Sequence, residues 1–139
     1  MTIQAQILDL LRALQRDTGM ALMLITHDLG VIAEIADRVM VLYAGRVAET
    51  ARVDTLFDAS AHPYTRALLA SIPNVNVRRE RLATIEGSVP IVGDMPSGCR
   101  FAPRCAARSE ACMAMPPPLK ALSATHAVAC VGALAAEVM

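Results

Sequence analysis

The sequence predicts an α/β fold, and three observations carry that expectation. Two apolar runs without polar alternation, Met20–Ile25 and Val39–Tyr43, read as short strands buried on both faces of a sheet. A helical stretch carrying Leu29, Ile32, Ala33 and Ala36 lies between them, so strand, helix and strand form a parallel crossover. The chain also opens with apolar residues at helical spacing, Ile3, Ile7, Leu8, Leu11 and Leu14, with Thr2 placed to cap and Gly19 just past the end.

After the second run, Ala44-Gly45 separates Tyr43 from the more polar Arg46–Glu49, which predicts a hairpin at the sheet edge. A short helix is expected over Val53–Phe57. Pro63 then opens another through Tyr64, Leu68, Leu69 and Ile72, closed by Pro73. Here His62 has a structural place at the helix start, and Tyr64 is expected to lay its ring against the sheet edge. Beyond Asn74 the pattern changes to an arginine cluster, a weak strand around Leu82–Ile85 and four cysteines interrupted by Pro116-Pro117-Pro118. Two regions follow, residues 1–73 and residues 74–139.

Composition narrows the function. Thirteen basic and thirteen acidic residues cancel, and only two tyrosines and two phenylalanines exist to stack bases, so nucleic-acid binding is not expected. Both longest apolar stretches, Met20–Ile25 and Ala127–Met139, fall short of the ~20 residues that a spanning helix needs. The N-terminus lacks the basic, apolar and small-residue series of a secretory signal, so a cytoplasmic protein with reduced thiols is expected.

The cysteines are spaced Cys99-x5-Cys105-x6-Cys112-x17-Cys130. Four thiols in a reducing compartment suggest a metal site before a disulfide pair. Structural zinc sites usually use closely spaced knuckles, which are absent here, whereas a four-iron cluster tolerates looser spacing. Zinc and free buried thiols stay open as alternatives. Arg100, Arg104 and Arg108 flank the first two cysteines, and their charge is expected either to lower the thiol pKa values or simply to face solvent.

His27 follows the first apolar run, at the end where ligands gather in open α/β sheets; position alone allows either a phosphate contact or an ordinary loop histidine beside a helix-capping Asp28. The surrounding text, Leu24-Ile-Thr-His-Asp-Leu29, Ala36-Asp-Arg38 and Val41-Leu-Tyr-Ala-Gly45, resembles the switch-histidine segment of ABC-transporter ATPases. Thr2–Ile7 resembles the helix after the Walker B strand. His62-Pro-Tyr-Thr-Arg-Ala-Leu-Leu-Ala-Ser-Ile-Pro73, Glu86-Gly-Ser-Val-Pro90 and Pro96–Cys105 resemble the C-terminal extension of oligopeptide- and dipeptide-transporter ATPases.

That resemblance implies the C-terminal half of a P-loop NTPase sheet followed by a small cysteine-containing extension. It implies a γ-phosphate contact for His27, ATP with magnesium in the complete protein, and a 4Fe-4S cluster on Cys99, Cys105, Cys112 and Cys130, with zinc second. The implied partners are the N-terminal half of the ATPase domain, a second ATPase subunit and the membrane permease subunits of a peptide importer, on the inner face of the membrane. No Gly-x4-Gly-Lys-Ser/Thr loop occurs in these 139 residues, so ATP hydrolysis by this chain alone is not expected. Two other readings stay open: a stand-alone iron–sulfur or metal-binding redox module, and a truncated remnant without function.

Overall fold

The computed structural model describes residues 3–72 and 84–135. Two compact units are present, residues 1–37 and residues 38–139.

The first unit contains α1 (Ile3–Thr18) and α2 (Leu29–Ile35). Leu8 and Val31 are its buried apolar residues. Arg12 reaches the Glu34 carboxylate at 3.0 Å, and Gln4 reaches Asp28 at 3.3 Å, so polar contacts also join the two helices. Asp28 caps α2, accepting from the amides of Gly30 and Val31 at 2.9 and 3.2 Å. Those amides, Val31 first and with Gln4 next, hold the Asp28 carboxyl below its ordinary range.

The expected strand Met20–Ile25 is not formed. No described residue pairs with it, and Met23 and Ile25 are 87% and 92% exposed. A two-sided apolar run can be a strand only where neighbouring strands supply its ladder and helices cover its faces, and none of the described residues does so. The parallel crossover is therefore not seen, and the sheet that does form is antiparallel.

That sheet lies in the second unit. β1 (Arg38–Tyr43), β2 (Arg46–Arg52), β3 (Lys120–Ser123) and β4 (His126–Val128) adopt the order β1-β2-β4-β3. The expected hairpin joins β1 to β2, and both turn residues, Ala44 and Gly45, have positive φ (47° and 78°), as a two-residue hairpin turn of matching twist requires. Strict alternation along β1 buries Val39, Val41 and Tyr43 and leaves Met40 and Leu42 exposed. Along β2 a bulge opposite Val41 and Leu42 breaks the alternation, so the neighbours Ala48 and Glu49 are both buried.

Two helices follow β2: α3 (Val53–Ala59), anchored by the buried Leu56, and α4 (Pro63–Ala70). His62 caps α4 through its ring nitrogen, Nδ1, which accepts from the Tyr64 amide at 3.0 Å. Of the weak strand expected at Leu82–Ile85, Leu82 and Ala83 lie outside the described residues, and Thr84 and Ile85 form no strand. A single-turn 3-10 segment, Ala102–Arg104, and two short helices, α5 (Ala111–Ala114) and α6 (Val131–Ala135), carry the cysteine region. β2, from before position 74, pairs with β4, from well after it.

Glu49 is fully buried within this arrangement. Burial alone would raise its pKa, but the Ala61 amide, the Thr65 hydroxyl, His126 and the His62 amide together hold it below its ordinary value of 4.5. His62 is shifted down from 6.5, chiefly by burial, against the opposing pull of the Glu49 charge. Both shifts make acid destabilising. Below about pH 6.5 the unfolded chain protonates His62 while the folded ring resists. The Glu49 contribution is complete above 4.5 and is lost as the pH falls through the lower folded value. Denaturant unfolding followed from pH 7 to 3 should show stability falling in two stages, with Glu49→Gln reducing the lower one, to which Asp28 and Asp54 also contribute.

Candidate functional site

The four cysteines, spread over thirty-two positions, are brought to the wall of one cavity of about 230 Å3. Cys99, Cys105, Cys112 and Cys130 share that wall with His62, Pro63, Arg66, Phe101 and the first turn of α6. Cys112 is buried and the other three are half-buried. All four are free thiols.

Three local devices deliver the four cysteines. The Cys99 amide donates to the Cys112 carbonyl at 2.8 Å, which locks the first cysteine to the third. That approach needs Gly98: a β-carbon there would lie 2.2 Å from the Cys112 carbonyl oxygen and under 3 Å from the Met113 backbone. The Cys105 amide closes the 3-10 turn onto Ala102 at 3.2 Å. Cys130 follows β4, whose continuation is fixed by the Ala129 amide donating to Ala48 at 2.8 Å.

An aromatic cluster forms one side of the site. Tyr43, Tyr64 and Phe101 meet with ring centroids 4.7 to 5.4 Å apart, and Cys99 and Cys105 pack against the core that includes Tyr43 and Phe101. Tyr64 thus reaches the edge strand β1, as the sequence leads one to expect.

The arginines do something other than lower the thiol pKa values. Arg100 donates to the Ala44 carbonyl in the hairpin turn. Arg104 spans three partners: the Glu86 carbonyl at 2.8 Å, the Ile85 carbonyl at 2.7 Å and the Tyr43 hydroxyl at 3.3 Å. Arg108 is exposed. The guanidinium groups of Arg100 and Arg104 bind backbone carbonyls that tie residues 85–86 and the hairpin to the cysteine loop. The Cys99 and Cys105 thiols are instead pushed up from the ordinary value, chiefly by burial and in smaller part by the neighbouring cysteines.

Four thiols on one cavity wall are a donor set that either zinc or an iron–sulfur cluster accepts chemically. One zinc ion would need its four sulfurs about 2.3 Å from a common centre. Among the described residues no group of three or more histidine, cysteine or acidic side chains stands close enough to hold one metal ion. His27 is not part of this cavity. It is exposed, in the first unit, one residue before the Asp28 cap.

Residues 48–112 match the family described as the C-terminal region of oligopeptide/dipeptide transporters. The match runs from the β2 bulge to the third cysteine, so it takes in Glu49, the His62-Pro63-Tyr64 cap and the Gly98–Cys112 approach. Over 136 residues, 94% of this chain, it is 48% identical to a putative peptide import ATP-binding protein of Brucella ovis. It is 46% identical over 129 residues, 93% of the chain, to a second such protein from Brucella abortus. The chain spans about 40% of the length of these relatives. No described helix is long and apolar enough to cross a membrane.

Within residues 48–112, Gly98 carries no signal in the sequence, and its role appears only when Cys112 is seen to approach it. Gly98→Ala should lower the unfolding free energy by about 2 kcal/mol through backbone overlap. Gly132→Ala, where a β-carbon meets nothing within 4 Å, should leave it nearly unchanged. Parallel denaturant titrations of the two variants check this.

Proposed function

We propose that this chain is the C-terminal part of the ATP-binding subunit of a peptide importer, and that its four cysteines hold a 4Fe-4S cluster. The observation that carries the first statement is the 46–48% identity to peptide import ATP-binding proteins across nearly the whole chain. The shared cavity of about 230 Å3, lined by all four thiols, supports the second. When bound, such a cluster supplies one-electron redox chemistry and a covalent tie between distant chain segments.

In this reading His27 donates a hydrogen bond to the terminal phosphate of ATP, with magnesium and the phosphate loop supplied by an N-terminal polypeptide. The exposure of Met20–Ile25 in the first unit supports the need for that polypeptide, because its strands would give the run the neighbours its composition demands. Residues 1–73 would complete the ATPase domain, and residues 74–139 would form the extension. A second ATPase subunit and membrane permease subunits complete the importer, with this subunit on the cytoplasmic face.

Co-expression with the N-terminal 60% of the Brucella ovis relative tests this directly. The pair should hydrolyse ATP, and His27→Ala should lower turnover by about 100-fold while the pair still assembles. Assembly without ATP turnover in the unsubstituted pair would contradict the ATPase reading and favour a separate metal-binding module.

A further inference from the structure

The buried Glu49 carboxylate on β2 receives two segments that are far apart in the chain. The Ala61 and His62 amides, just ahead of α4, donate to its two oxygens at 2.6 and 3.0 Å. Nε2 of His126, on β4, meets the same carboxylate at 2.7 Å from seventy-seven positions away. Both side chains are out of water, at 0% and 8% exposure. The Thr65 hydroxyl is buried beside the carboxylate without a well-formed hydrogen bond of its own. The other charged group near by is Arg66 on α4, which acts on His62.

This pair lies where β4 runs into the cysteine cavity. Glu49 is opposite Val128 in the β2–β4 register, and that pairing is short, only Glu49 with Val128 and Thr50 with Ala127. The next amide, Ala129, donates to Ala48, and the next residue is Cys130. On its other side the carboxylate holds the backbone of His62, which lines the same cavity. A two-residue ladder cannot by itself fix a strand end, so side-chain bonds must supply the rest.

We propose that Glu49 and His126 are positioning residues for Cys130, a buried carboxylate–imidazole latch that sets where the fourth cysteine meets the other three. Neither side chain lines the cavity; both act through β4 and through the start of α4. The latch rests on the cluster reading only in the use to which Cys130 is put. It holds the segment in place in metal-free protein as well.

Position-resolved hydrogen exchange on the full metal-free chain tests it. His126→Leu removes the donor and should speed exchange across residues 126–130 by about tenfold to a hundredfold, with the β1–β2 hairpin at residues 38–47 unchanged. His126→Gln, which keeps a donor at similar reach, should restore most of the protection. Glu49→Gln should loosen residues 60–63 and 126–130 together. Unchanged exchange at 126–130 in His126→Leu, or equal acceleration throughout the unit, would overturn the latch. Normal latch behaviour in a chain that binds no iron would support the latch and count only against the cluster.

Discussion

A carboxylate with no access to water organises the second unit. Glu49 would be costly to bury alone, and its position is tolerated because two backbone amides and an imidazole converge on it. The bulge in β2 makes this possible by turning Ala48 and Glu49 inward together. From that point the geometry spreads in two directions. One set of bonds fixes the entry to α4 and so places His62 and Tyr64. The other fixes β4 and so places Cys130.

The cysteine site is built by the same economy of backbone contacts. Gly98 permits Cys99 and Cys112 to share a hydrogen bond, Arg104 gathers residues 85–86 to the hairpin, and the aromatic cluster closes one wall. Arg100 and Arg104 are engaged with carbonyl groups, and burial keeps two of the thiols protonated more firmly than usual. Charge neutralisation by Arg100 and Arg104 is therefore not what the thiol cavity offers. A group that binds here must displace thiol protons and gain enough from four sulfur bonds to offset that cost.

The sequence made the local elements legible and the non-local ones much less so. Helices α1, α2, α3 and α4 and the β1–β2 hairpin were readable because periodicity, Gly45, Asp28 and Pro63 are signals carried within a few residues. Met20–Ile25 was misread as a formed strand because its apolar run specifies burial without specifying the partners that provide it. Strands β3 and β4 were missed because each is four residues or fewer and is held by β2 and Glu49 from far away. The cysteine spacing singles out four candidate residues, but their common cavity depends on Gly98, His62 and β4, none of which the spacing reveals. Glu49 reads as an ordinary polar strand residue until the bulge is seen.

The account stands most directly on what the four thiols bind. Iron, sulfide and visible absorption should be measured on the full chain purified without oxygen and with iron supplied. The account predicts about four iron and four sulfide per chain with a broad brown absorption, lost when Cys112 is replaced by alanine. A colourless protein without iron under those conditions, with all four cysteines titrating as free thiols, would contradict it.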